Sequence, residues 1–181
     1  MKYCPNCGSP RMAWRVPEHD NLPRHICEEC RTVHYQNPRM IVGTLPVWEE
    51  SQILLCRRAI EPRHGFWTVP CGFMENGETA EQGALRETTE EANARVTVRR
   101  LHCMYSIPHI NQVYLVFLAE LDDVDFYPGP ESLEVRLFRE DEIPWDEIAF
   151  SSVRFSLERY FEGLRDNIER TYTGSFIPQA R

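Results

Sequence analysis

The sequence predicts an α/β protein: a β-rich body with two helices, preceded by a small cysteine-tied module. Three observations carry this. Strand-like apolar runs alternate with two stretches of helical periodicity. Two Cys-x-x-Cys pairs fall before residue 31. A chain of 181 residues with 42% hydrophobic content can bury one sizeable core plus an appendage, which excludes general disorder. The formal net charge of −8 argues against coating nucleic acid or an anionic membrane through bulk charge, so nucleic acid is not an expected partner. Lys2 is the only lysine beside 19 arginines, which suit bidentate recognition of phosphate or carboxylate, although composition bias gives the same count.

The first module is Cys4-Pro5-Asn6-Cys7-Gly8 with Cys27-Glu28-Glu29-Cys30, a C-x2-C-x19-C-x2-C pattern within zinc-ribbon spacing. Two intervening residues let both thiolates of a tight turn reach one tetrahedral ion. Residues 1–37 are too few for a core of their own, so a Zn²⁺ held by Cys4, Cys7, Cys27 and Cys30 supplies the missing stability. A pair of disulfides is the alternative, and nothing here suggests an oxidising compartment. Four thiolates leave no open coordination position, which makes the ribbon structural or partner-binding rather than catalytic. His19, His25 and His34 read as surface or packing residues, and Cys56 and Cys103 as small buried hydrophobes.

After a short linker at Tyr35-Gln36-Asn37-Pro38, strands are expected at Met40–Trp48 and Ile53–Arg58, paired with each other. A loop punctuated by Gly and Pro follows, then a helix over Thr79–Ala92. Further strands are expected at Val96–Ile107, Val113–Glu120 and Glu131–Phe138. The last helix, about Ser152–Ile168, places Val153, Leu157, Tyr160, Phe161, Leu164 and Ile168 at helical spacing. The body is taken as 38–170, and 171–181 as a loose C-terminal tail. Leu101–Ala119 lacks Asp, Glu, Lys and Arg, yet Ser106, Pro108, His109, Asn111 and Gln112 make it two strands around a turn. The N-terminus has no apolar signal region, so no membrane partner and a cytoplasmic location are expected.

Cys71–Ala94 carries the chemistry, with six acidic residues and one arginine. Thr79 and Gln82 have capping-box spacing, which starts the helix just after Glu78. Glu87, Glu90 and Glu91 lie at i, i+3 and i+4 on one face. Such a row is either a solvated acidic face or a hard-cation site, since Mg²⁺ binds where carboxylates meet substrate phosphates.

The whole segment resembles the Nudix box, G-x5-E-x7-R-E-U-x-E-E-x-G-U with U apolar: Gly72, Glu78, Arg86, Glu87, Glu90 and Glu91 occupy its defining positions. Thr88 stands in place of an aliphatic residue, Asn93 in place of the helix-ending glycine, and Cys71 in place of a glycine before the box. Asn tolerates the left-handed conformation that such a C-cap needs. The ribbon, YQNPRMIVG, LLCRRAIEPRHGFWTVPCGFMENGET, GPESLEVRLF and EIPWDEIAFSSV extend the likeness over nearly the whole chain. They resemble the branch that contains bacterial zinc-ribbon Nudix hydrolases and plant FAD and ADP-ribose pyrophosphatases. The resemblance implies an α/β/α sandwich with a mixed sheet. NADH pyrophosphatases also carry a ribbon, but their SQPWPFPxS-type signature after the box is absent here.

What the resemblance implies for the site is a catalytic Mg²⁺ or Mn²⁺ on Glu87, Glu90 and Glu91, with the Gly72 carbonyl as a further ligand. Arg86 would orient a box glutamate through Glu78 or Glu90. The general base is either a box glutamate or a later acid, with Glu131 favoured over Glu134. Arg57 and Arg58 close a strand pointing toward the box, as phosphate contacts or as surface residues. Phe66, Trp67 and Phe73 could stack on adenine or isoalloxazine, or pack in the core. The function implied is hydrolysis of ADP-ribose or FAD to AMP and the other phosphate. NADH, nucleoside triphosphates and a non-catalytic nucleotide sensor are the alternatives, and a homodimer is common among such relatives. The complete set of box glutamates favours catalysis over sensing.

Overall fold

The computed structural model describes residues 1–178. The chain divides into two compact units, Met1–Asn37 and Pro38–Arg181. In the first, β1 (Met12–Arg15), β2 (Arg24–Cys27) and β3 (Val33–His34) form an antiparallel sheet in that order. Its buried hydrophobic residues are Cys4, Ile26 and Cys27 alone. That is no core for a free-standing sheet, so the cysteines must be tied.

The second unit contains β4 (Arg39–Trp48), β5 (Gln52–Arg58), β6 (Trp67–Thr68), β7 (Cys71–Phe73) and α1 (Ala80–Ala92). It continues with β8 (Val96–Ile107), β9 (Gln112–Leu121), β10 (Ser132–Phe138), α2 (Ser151–Asp166) and β11 (Tyr172–Ser175). The main sheet runs β10-β5-β4-β9-β8-β11, with β6 added on β5 and β7 on β4. It is mixed: β4 with β9 and β8 with β11 are parallel, the other pairs antiparallel. Because both faces of β4 are covered, it reads as a continuous apolar run rather than an alternating one. Ile41, Leu45 and Val47 join Val153, Leu157 and Phe161 of α2, while Val42 packs with Ala84 of α1. The sheet therefore lies between two helices, the α/β/α sandwich expected. Among the described residues no helix is long and apolar enough to cross a membrane.

One expectation holds over a shorter stretch and one is corrected. The β4–β5 hairpin pairs only at Val47–Ile53 and Trp48–Gln52. Farther along, β7 takes Ile41–Gly43 of β4, and β5 turns to β6 and β10. At two and three residues, β6 and β7 are too short to show a period. The loose tail is the second: Tyr172–Ser175 forms β11, parallel to Cys103–Ser106 of β8. The open edge of β8 supplies backbone partners, and the Tyr172 ring is buried 5.7 Å from the His102 ring. Residues 179–181 of that stretch lie outside the described residues.

Candidate active site

The helix that carries the acids starts and stops where its sequence says. Thr79 caps α1, its side chain accepting from Gln82 N while Gln82 returns a bond to Thr79 N. At the other end Asn93 adopts φ 48°, ψ 27° and its N–H bonds Thr89 O. The Asn93 side chain adds a bond that glycine could not make, Nδ2 to Tyr127 O at 3.1 Å. Thr88 is fully buried and donates to Ala84 O (2.7 Å), so Thr44 Oγ1, 2.6 Å away, must donate to Thr88. A paired hydroxyl thus replaces the aliphatic contact between α1 and β4.

One cation organises the carboxylates. Arg86 donates through Nε and Nη2 to both oxygens of Glu78 (3.1 and 2.9 Å). Through Nη1 it reaches Glu87 Oε1 (2.7 Å) and Glu90 Oε2 (3.1 Å), and Nη2 also donates to Phe73 O (3.2 Å). All five guanidinium N–H groups are used, and the pairing pushes Arg86 further up. Glu78 is held below the usual carboxylate range by Arg86. Sequence reading expects Arg86 to orient one glutamate; it holds three.

Glu87 and Glu91 are buried, whereas Glu90 is exposed. The Glu87 carboxylate lies against the Gly72 backbone where a Cβ would stand, so a larger residue at 72 would have to displace it. Glu91 Oε2 accepts from Cys71 N at 3.1 Å. Burial pushes its carboxyl up to about 8, and the neighbouring Glu87 and Glu131 act in the same direction. Glu87 is raised as well, by burial first and by Glu90 and Glu131 behind it. Added positive charge at this place would favour the ionised form of both buried acids. Oxygen donors of this kind are those a hard divalent cation takes, although among the described residues these carboxylates are not gathered as closely as the ribbon cysteines.

The loop before Glu131 is tied to the end of α1 in a way that the local pattern did not reveal. The N–H groups of Tyr127 and Gly129 cap the last carbonyls of α1, Ala92 O and Glu91 O, each at 3.0 Å. A Cβ on Gly129 would overlap Glu90 O, so glycine permits this close approach. Glu131 follows on the loop, exposed, with its charge felt by both buried acids. Glu134 is not brought to the same place. It sits on β10, 3.9 Å from Arg57, whose Nε donates to Gly65 O.

Two expected substrate contacts are corrected. Trp67 is buried in the main core, edge-to-face with Phe138 at 4.8 Å, and offers no face to a base. Arg58 is only 8% exposed; its Nε donates to Pro62 O and its guanidinium lies over Phe150. It acts from inside, favouring the ionised form of Glu91. Phe73 remains, 49% exposed, with the Arg39 guanidinium 4.9 Å over its ring.

The ribbon holds a different kind of site. One sulfur from each of Cys4, Cys7, Cys27 and Cys30 lies within 4.8 Å of the others, the only such group of metal-ligand side chains among the described residues. The Cys4–Cys30 and Cys7–Cys27 sulfur separations are 3.7 and 3.6 Å. A tetrahedron with Zn–S bonds of about 2.3 Å has edges of about 3.8 Å, so the cluster fits Zn²⁺. The sulfurs are too far apart for a disulfide. Thr32 and Asn6 donate toward Cys30 and hold its thiol down to about 5, already favouring the thiolate. His34, read as an ordinary histidine, has Nε2 at 3.3 Å from Cys4 Sγ.

An α/β/α sandwich with this helix and this ribbon defines a class. A NUDIX domain model matches residues 37–156, and a Nudix N-terminal zinc-ribbon model matches residues 2–36. The chain belongs to the Nudix family. A NUDIX hydrolase from Nitrosomonas europaea, known from its crystal structure, is 55% identical with a TM-score of 0.92, over 97% of this chain and 99% of that one. The NAD-capped RNA hydrolase NudC of Vibrio vulnificus is 31% identical over 145 residues, 80% of this chain and 53% of that protein. The chain spans about half the length of the curated relatives it matches. An ADP-ribose pyrophosphatase from Streptococcus suis, 20% identical with a TM-score of 0.60 over 77% of this chain and all of that one, shares the fold.

Proposed function

We propose that this chain is a divalent-metal-dependent pyrophosphohydrolase that cleaves ADP-ribose or FAD and releases AMP. The observation that carries the reading is the Arg86-centred set of Glu78, Glu87 and Glu90 beside the buried Glu91. Glu87, Glu90, Glu91 and the Gly72 carbonyl would hold Mg²⁺ or Mn²⁺. When bound, that ion neutralises the pyrophosphate as a Lewis acid and activates water.

The chain's own groups do the rest. Arg86 keeps the carboxylates in one arrangement, so its contribution is position rather than substrate charge. Glu131 takes the proton from the attacking water as its oxygen adds to phosphorus and the bond to the bridging oxygen breaks. Phe73 offers its open ring surface to a base or flavin. Zinc in the ribbon, with four thiolates, takes no part in this step.

The test is a product screen over ADP-ribose, FAD, NADH and nucleoside triphosphates with Mg²⁺ or Mn²⁺. AMP from ADP-ribose or FAD, lost in Glu91→Gln, is the expected result. Normal turnover by that variant, or none by the wild type with either metal, contradicts the reading. NAD-type substrates are the second reading, favoured by the NAD-capped RNA hydrolases among the relatives. The same screen separates them.

A further inference from the structure

A site with this many carboxylates meets a difficulty when a pyrophosphate arrives, and the arginines near it do not all help. Arg86 has every N–H bound to a carboxylate or carbonyl. Arg58 is buried over Phe150, and Arg57 is tied to Gly65 O and faces Glu134. Arg39 differs from these three. It is exposed, makes no ion pair among the described residues, and its guanidinium is carried on the Phe73 ring.

The register shows what stands beside it. Ile41 of β4 is opposite Phe73 of β7 on one side and Tyr114 of β9 on the other. Arg39, two residues earlier on the same face, is opposite Gln112. Tyr114 donates its hydroxyl to Gln112 Oε1 at 3.3 Å, which orients the amide and leaves its NH₂ group as a donor. Arg39 therefore lies between the exposed Phe73 ring, on which its guanidinium stacks, and Gln112, its neighbour across β4 and β9. The Phe73 carbonyl, in turn, is bonded to the arginine that holds Glu87 and Glu90.

We propose that Arg39, assisted by Gln112, is a specificity-determining contact that receives a phosphate of the bound nucleotide beside Phe73. Stacking on the ring pre-orients the guanidinium, so less side-chain freedom is lost when its planar edge meets the phosphate. The positive charge lies outside the carboxylate cluster, where it attracts the anion without competing for the acids. The ligand assignment rests on the nucleotide-hydrolase reading above.

Two measurements on Arg39→Ala, Arg39→Lys and Gln112→Ala test this. The first is KM and kcat for whichever nucleotide the wild type turns over; the second is equilibrium binding of AMP and of adenosine to the zinc-loaded protein without added Mg²⁺ or Mn²⁺. In Arg39→Ala, KM and the AMP dissociation constant should rise on the order of tenfold or more, with kcat changed far less. Arg39→Lys should recover part of that loss, and Gln112→Ala should show a smaller rise. Adenosine, which lacks the phosphate, should bind wild type and Arg39→Ala alike. KM and AMP binding in Arg39→Ala within twofold of wild type would overturn the proposal, as would an equal loss for adenosine. Arg39-dependent AMP binding by a wild type that hydrolyses nothing would sink the hydrolase reading and leave this one standing. A wild type that neither binds nor turns over any of these nucleotides overturns both.

Discussion

The molecule carries one gathered group of thiols and one set of carboxylates around an arginine, and they differ in how finished they are. In the ribbon, four sulfurs from two short turns already stand near tetrahedral spacing, and hydrogen bonds hold Cys30 toward its thiolate. At the box, one arginine bonds three glutamates at once, Glu91 is buried, and Glu131 comes from a separate loop. The sulfur cluster is closed and soft. The oxygen cluster is open, hard and short of positive charge. The difference teaches that the first site is arranged to complete a fold, whereas the second, as proposed, awaits a metal and a substrate.

The largest effect that could break this contrast is on the ribbon. With only Cys4, Ile26 and Cys27 as buried hydrophobic residues, the module has little besides its metal to hold it. Zinc chelation, or Cys27→Ser, should abolish its fold, because structural zinc contributes about 10 kcal/mol or more in modules of this size. Hydrogen exchange should show complete loss of protection in β1–β3 while β4, β8 and β9 stay protected. Retention of protection in the ribbon without metal would remove the contrast.

Next is Arg86→Lys. Lysine cannot hold Glu78 through two nitrogens while reaching Glu87 and Glu90, so the expected loss in kcat is on the order of a hundredfold. Steady-state kinetics at saturating metal measures it. A kcat within twofold of wild type would mean the carboxylates keep their places unaided.

A smaller effect lies in the fold that carries the open site. His102 is 1% exposed and its Nε2 donates to Ser156 O at 2.9 Å; burial holds the ring down to about 4. The unfolded chain takes up that proton near pH 6.5, so between pH 6.5 and 4 it binds more protons than the folded one. Stability should fall as pH drops through that window, by on the order of 3 kcal/mol in full. Urea denaturation of wild type and His102→Gln at several pH values checks this. The variant should show a flatter acid limb.

The smallest effect concerns the Thr44–Thr88 pair. Thr88→Val leaves the buried Thr44 hydroxyl without its acceptor and should cost about 1–3 kcal/mol. Replacing both threonines by valine should recover most of the loss, since two apolar groups of like shape have nothing left unpaired. A double variant no more stable than the single one would show that the pair serves another purpose.

Much of the contrast was legible in advance, and the reason is locality. Cys-x-x-Cys pairs, the Thr79–Gln82 box and the Glu87/Glu90/Glu91 spacing each lie within one turn or one helix. The turn at Asn111 was readable too, from polar residues between two apolar runs. What the sequence withheld depends on partners far along the chain. Trp67 and Phe73 look alike in the sequence, yet β6 turns one into the core while β7 leaves the other half open. Arg57 and Arg58 were distinguished only by where their guanidinium groups find carbonyls. Tyr172–Ser175 has no periodicity at four residues and becomes a strand because β8 offers an edge. Arg39 gave no local signal; its place beside Phe73 and Gln112 follows from a register of three strands.

The most direct test of the contrast is AMP release from ADP-ribose or FAD by protein that retains its ribbon zinc, assayed with and without added Mg²⁺ or Mn²⁺. Release should require the added metal and vanish in Glu91→Gln while the zinc content stays at one per chain. Full release by the zinc-only protein, or by Glu91→Gln, would contradict the division of the molecule into a closed structural site and an open catalytic one.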